Sequence, residues 1–198
     1  MIEYTAIKHD DNQLVITMDN NCKELLNNID FDFEYDLKLF DSPTKMREAL
    51  REKNSINNKS RMIAGYCYEW NSEQNPKGNV YDIELEDGFK AKWNFANSLF
   101  AIDPNSFDQV GCIHTTQGLE FDYCGIIIGQ DLRYDDFKGV YTDQTKEALS
   151  DKTSGIRTCK DKALASKLIR NTYKTLLIKV INKLQTAVIV LQGFHEAR

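Results

Sequence analysis

Two stretches of this chain are apolar at almost every position, and they constrain the fold more than any other feature. Arg61-Met62-Ile63-Ala64-Gly65-Tyr66-Cys67-Tyr68 shows almost no polar alternation, and Phe121 through Gly129 (FDYCGIIIG) repeats the pattern. Strands covered on both faces read this way, and a parallel sheet sandwiched between helices produces such strands. A third apolar stretch, Gln109-Val110-Gly111-Cys112-Ile113-His114, is joined to the FDYCGIIIG run by the polar, glycine-containing segment Thr115 to Glu120. Buried strands connected in this manner predict an α/β fold, a mainly parallel sheet flanked by helices.

The flanking helices have readable starts. Asp41-Ser42-Pro43 supplies a cap and a proline near the first helical position, with Met46, Leu50 and Ile56 on an apolar side that fades near residue 54. From Asp161 a helical period runs through Ala163, Leu164, Leu168, Ile169, Tyr173, Leu176 and Leu177. After it, Val180-Ile181 and Ala187 to Leu191 either prolong the helix or form a final strand. Asp36 to Phe40 alternates as a strand, Val15 to Met18 reads as another, and Asn20 or Asn21 caps a short helix through Leu25-Leu26. Residues 71–108 read as an inserted β-rich excursion, with Trp93, Phe95, Phe100 and Ile102 as its core. Residues 130–160 read as polar turns around a hydrophobic knot from Phe137 to Tyr141.

Composition excludes several classes. At 198 residues, 41% hydrophobic, 28% charged and three prolines, the chain is neither collagenous nor disordered, and it is long enough for one domain with an ordinary core. No apolar run approaches the ~20 residues that span a bilayer, and no basic flank precedes an apolar stretch at the N-terminus, so a cytoplasmic protein without membrane contact is expected. The odd set of Cys22, Cys67, Cys112, Cys124 and Cys159 lacks a C-x-x-C pair and reads as free thiols, with Cys67, Cys112 and Cys124 in apolar company. Cys112 and His114 lack a second ligand pair, so no metal site is expected there. A net charge of −5 argues against a broad basic surface that binds nucleic acid unaided.

Residues capable of chemistry concentrate between Val110 and Asp122. His114, Thr115 and Thr116 offer imidazole and hydroxyl groups at a strand end, where α/β sheets bind ligands. Gly118 lets backbone N–H groups approach a phosphate, and Glu120 is placed to accept hydrogen bonds from a sugar hydroxyl. Asp82, Glu84 and Glu86 alternate onto one strand face; a metal-dependent nuclease site fits that pattern, but an ordinary solvated face fits it better. A nuclease pairing of His114 with Asp122 is the other form of that reading.

The string His114-Thr115-Thr116-Gln117-Gly118-Leu119-Glu120-Phe121-Asp122 resembles motif V of superfamily 1 helicases, written T-x-H-x-x-K/Q-G-L-E-F/W-D in their UvrD-like members. Ser60 to Tyr66, Glu69-Trp70, Trp93-Asn94, Gly125 to Tyr134 and Ile169 to Leu177 are similar, in order, to a bacterial helicase-like family of unknown function related to the Schlafen-type helicase domain. The resemblance covers residues 36–178 and implies the second RecA-like domain of a two-domain motor, leaving 1–35 and 179–198 as atypical ends. It further implies that Gly118 and Glu120 face the nucleotide. His114, Thr115 and Thr116 would couple that cleft to a nucleic-acid backbone, with Gln117 between the two. ATP and Mg²⁺ would be cofactors of the full protein, and its partners would be a first RecA-like domain and DNA or RNA.

The departures are equally specific. The chain holds no G-x-x-x-x-G-K-[ST] and no acidic strand paired with such a loop, and its first arginine is Arg47. Where the family's motif VI continues into an arginine, the sequence runs Ile178-Lys179-Val180-Ile181. An arginine finger contributes about 10³–10⁵ in rate, and lysine does not reproduce its planar fork. No complete catalytic set is therefore expected, and neither ATP nor Mg²⁺ is expected on this chain alone. Both ends lose the pattern abruptly, as in a truncated or frame-disrupted remnant. A non-catalytic protein-interaction module on a degenerate RecA-like fold is the alternative reading.

Overall fold

The computed structural model describes residues 5–8, 14–17, 38–40, 42–73, 78–94, 100–116, 119, 121–135, 139–152, 154–181 and 187–191. In chain order, β1 (Thr5–Lys8) and β2 (Leu14–Thr17) form an antiparallel pair ahead of β3 (Lys38–Phe40), α1 (Pro43–Asn57) and β4 (Ser60–Ala64). A hairpin of β5 (Ile83–Glu84) and β6 (Lys90–Ala91) precedes β7 (Val110–Gly111) and β8 (Tyr123–Ile128). A second hairpin, β9 (Leu132–Asp135) with β10 (Gly139–Thr142), leads to α2 (Lys162–Ile181) and β11 (Ala187–Leu191). The predicted helix after Asn20 or Asn21 lies outside the described residues.

Five strands make one parallel sheet in the order β3-β11-β8-β4-β7. The expected α/β architecture, a parallel sheet with helices on its faces, is what forms. Ala187 to Leu191 resolves as a strand, seated between β3 and β8, after α2 has run on to Ile181. The chain crosses from β3 to β4 through α1 and steps back from β8 to β11 through α2. Right-handed crossovers in opposite directions put the two helices on opposite faces.

The pleat sorts the core accordingly. Cys124, Ile126 and Ile128 of β8, with Ile63 of β4, pack with Ala165, Ile169, Tyr173 and Leu176 of α2. Ile127, Met62 and Ala64 point the other way and pack with Met46 and Leu50 of α1. Both faces are thus covered, which is why β4 and β8 lack polar alternation. Gly125 marks the closest approach of α1, since a Cβ there would lie 2.6 Å from Met46 Sδ and 2.7 Å from Leu50 Cδ1.

Local signals explain the helix limits. Ser42 caps α1 by accepting the Lys45 N–H at 3.2 Å, and Pro43 needs no partner in the first turn. Asn58 ends the helix in the left-handed region, φ 57°. Asp161 caps α2 by accepting the Ala163 and Leu164 N–H groups. Two expectations fail at this level. Ile56 is 76% exposed, because the helix continues past residue 54 and rotates that position outward. On α2 the inward stripe is Ala165, Ile169, Thr172, Tyr173 and Leu176, so Ala163 and Leu164 face solvent.

The excursion is part of the core, not a separate lobe. Ile83, Phe89, Ala91, Trp93 and Phe107 share the α1-side cluster with the sheet, and Phe100 is buried as expected, while Ile102 is exposed. Asp87 ties the hairpin to the start of α1 by accepting from Ser42 Oγ and the Thr44 N–H. Phe95 lies outside the described residues. The turn-like reading of 130–160 missed the β9–β10 hairpin.

Candidate functional site

In the parallel sheet the carboxyl ends of β4, β7 and β8 open on one edge, where such sheets place their ligand sites. β7 is short. After Gly111 the chain turns through Cys112 to Thr116, with the Thr116 N–H reaching the Cys112 carbonyl at 3.2 Å. Glycine is required at 111, because a Cβ would meet the Phe100 ring at 2.8 Å and Thr116 Cγ2 at 3.2 Å.

The turn sorts its three candidate side chains. His114 is exposed at the tip, its ring 5.9 Å from that of Tyr66. Thr115 points inward, donating its hydroxyl to Asn94 Oδ1. Thr116 is fully buried and its hydroxyl donates back to the Cys112 carbonyl at 2.9 Å. The His114 ring thus stays at the surface, while the two threonines brace the turn beneath it. Gln117, Gly118 and Glu120 lie outside the described residues.

Asn94 is the residue that sequence reasoning singled out only by resemblance. It sits in the left-handed region at φ 49°, and its N–H donates to the Val110 carbonyl at 2.8 Å. Its Oδ1 accepts from the Cys112 thiol at 3.0 Å as well as from Thr115. Residues 92–94 therefore flank β7 as a further parallel bridge, Trp93 to Val110, and fasten the turn from its outer side. Asparagine tolerates this backbone better than most side chains and supplies the acceptor.

On the inner side stands an aromatic wall. Tyr66 contacts Trp93 edge-on at 6.0 Å, and Trp93 contacts Trp70 at 6.3 Å. The indole N–H groups of both tryptophans are buried without a hydrogen-bond partner. Burial, then the nearby Cys112, Asp151 and Glu147, raises the Tyr66 phenol well above its ordinary value, so it stays protonated.

The nuclease readings do not survive the geometry. Asp82 turns inward to accept the Ser72 N–H and hydroxyl at 2.7 and 2.6 Å and the Trp93 N–H at 2.7 Å. Glu84 pairs with Lys90 at 2.8 Å. The three carboxylates do not converge, because Asp82 is tied inward while Glu84 and Glu86 are exposed, Glu86 in the turn of the hairpin. Asp122 lies at the amino end of β8, bonded to Asn57 at 2.6 Å, whereas His114 lies past the carboxyl end of β7. Parallel strands separate the two by the length of the sheet. Among the described residues, no three His, Cys, Asp or Glu side chains converge as a metal site. The described cysteines form no disulfide, and Cys112 and Cys124 both lie in the buried apolar clusters. Cys112 bonds to Asn94, and Cys67 to Asp131.

An α/β domain with a braced polar turn at its carboxyl edge has the architecture of RecA-like domains. A family model for the Schlafen group 3 DNA/RNA helicase domain matches residues 12–183, and the chain belongs to that helicase-related family. It is also 29% identical over 106 residues to the uncharacterized protein YPL245W of Saccharomyces cerevisiae. That match covers 51% of this chain and 22% of the yeast protein, so the chain corresponds to less than a quarter of that relative. No solved structure matches the chain. No helix among the described residues is long and apolar enough to cross a membrane.

Proposed function

We propose that the chain is the second motor domain of a superfamily 1 helicase-like NTPase, contributing half of an ATP cleft and part of a nucleic-acid path. Residues 36–178 form its motor portion, with 71–108 inserted. Gly118 and Glu120 serve the nucleotide side, and Gln117 stands between the nucleotide and the strand. His114 meets the nucleic-acid backbone from a turn that Thr115 and Thr116 hold rigid. The observation that carries this reading is the turn itself: an exposed imidazole at the carboxyl edge of a parallel sheet, with both neighbouring hydroxyls tied inward. The first RecA-like domain supplies the Mg²⁺ ligands and the phosphate-binding loop, a G-x-x-x-x-G-K-[ST] string that this sequence does not hold. ATP, Mg²⁺ and DNA or RNA are thus bound by the assembled two-domain protein, in the cytoplasm and without a membrane.

Fluorescence anisotropy with labelled single-stranded DNA and RNA tests the strand side. With a net charge of −5, binding is expected to be weak and to fall as salt rises. His114→Ala is expected to weaken it about twofold to tenfold, the value of one hydrogen bond, with thermal stability unchanged. Binding that His114→Ala leaves intact, or no binding at low salt, contradicts the assignment.

A further inference from the structure

Behind the turn, at the carboxyl ends of β4 and β8, lies a group of titratable side chains almost without solvent contact. Asp131 is 1% exposed and Glu147 2%. Tyr173 of α2 donates its hydroxyl to Asp131 Oδ1 at 2.6 Å and accepts the Gly129 N–H at 3.0 Å. The Glu147 carboxyl hydrogen-bonds to that of Asp131, and its Oε2 has no partner. Cys67 also bonds to Asp131, and Tyr68 bonds to Cys67. Asp151, four residues further along the same segment as Glu147, adds negative charge. Arg157 is the cation facing Glu147, but its Nη1 is directed at the Thr145 and Glu147 carbonyls. Two carboxyl groups in hydrogen-bond contact away from water do not both ionise, so one proton is held between them.

Glu147 belongs to a strap, residues 143–151, that lies along the continuation of β4. The Ala148 N–H donates to the Tyr66 carbonyl at 2.9 Å, and the Leu149 and Ser150 N–H groups donate to the Glu69 carboxylate. The Trp70 N–H donates to Ser150 Oγ at 3.0 Å. We propose that the proton shared by Asp131 and Glu147 is a latch: it holds the 143–151 strap on the sheet edge, and its loss releases the strap while the sheet stays folded. With the proton gone, two carboxylates repel each other in a dry site. Of the bonds that would still hold the strap, those at Glu69 and Trp70 are open to water, which leaves the Ala148 N–H to Tyr66, the Asp143 N–H to Asp131 and the Arg157 bonds to be broken on release. Release uncovers Trp70 and Tyr66, whose ring lies 5.9 Å from that of His114, so access to the candidate site is governed by protonation. Burial, then the charge of Asp131, pushes Glu147 up to about 9, and burial likewise raises Asp131. The strap is therefore closed at neutral pH.

Of the two tryptophans of the chain, Trp70 bonds to the strap at Ser150 and Trp93 packs edge-on against Trp70. Their fluorescence, followed from about pH 6 to about pH 10.5 alongside far-ultraviolet circular dichroism, reads the latch directly. The expected result is a one-proton change in emission in the alkaline range with the dichroism unchanged. Glu147→Gln, a neutral side chain of the same shape, abolishes that transition, and Asp131→Asn moves it to lower pH by removing the neighbouring charge. A transition retained in Glu147→Gln would assign the signal to tyrosine or cysteine and overturn the proposal. So would flat emission in the unaltered protein, dichroism lost at the same midpoint, or a Glu147→Gln protein unfolded at neutral pH.

Discussion

Replacing Arg61 with methionine is expected to destabilise the folded protein by at least about 3 kcal/mol. Arg61 is fully buried, and its partners among the described residues are uncharged oxygens. Its guanidinium donates to the main-chain carbonyls of Asn58, Ser60, Phe100, Ala101 and Asp103. It also reaches the side-chain oxygens of Asn54, Asn58 and Ser106. One side chain thus joins the start of β4, the end of α1 and the 100–106 turn of the excursion. Burial lowers its pKa, opposed by the charge of Asp103, but an arginine keeps its proton regardless. Methionine fills similar space and leaves several carbonyls dry and unpaired, each costing about 1–3 kcal/mol. Lysine keeps the charge with three donors in place of five, so Arg61→Lys should lose less. Urea unfolding followed by tryptophan emission measures both. A loss below about 1 kcal/mol for Arg61→Met would mean that these bonds are not what fastens the excursion to the sheet.

Glu147→Gln is expected to do the opposite, stabilising the protein at neutral and alkaline pH. An ordinary glutamate titrates near 4.3, whereas native Glu147 is raised to about 9 by burial and by Asp131. Between those values the native state keeps a proton that the unfolded chain has released. Stability therefore falls as pH rises, by up to about 1.4 kcal/mol per unit. Below about pH 4 the glutamate is protonated in both states and the two proteins should agree. Their difference should then widen to a few kcal/mol by about pH 8, measured by urea unfolding at each pH. Parallel stability curves would show that Glu147 ionises freely in the folded protein.

These two residues also mark where sequence reading stopped. The helices were legible because their signals are local: Ser42-Pro43 and Asp161 each act within four residues of themselves. The buried strands were legible because covering both faces removes the polar alternation. Arg61 opens such a strand, and its role was not legible there, since several of the carbonyls that satisfy it lie about 40 positions later. Asp131 and Glu147 looked like ordinary turn carboxylates, because Tyr173, 42 residues further on, is needed to close them in. The β9–β10 hairpin was hidden by its own shortness, four residues a side with charged residues among them. AVIVL at the end of the chain could not be assigned alone, as its strand identity depends on the slot between β3 and β8. At the site, the string from His114 to Asp122 was visible in the sequence, while the clamp at Asn94 depends on a chain reversal that brings residue 94 beside Val110.

The half-cleft reading meets its most direct measurement in steady-state ATP hydrolysis by the purified chain, with Mg²⁺, in the presence and absence of single-stranded nucleic acid. A domain without a phosphate-binding loop or a motif VI arginine should turn over no ATP above background in either condition. Robust hydrolysis by the chain alone, abolished by Glu120→Ala, would contradict it.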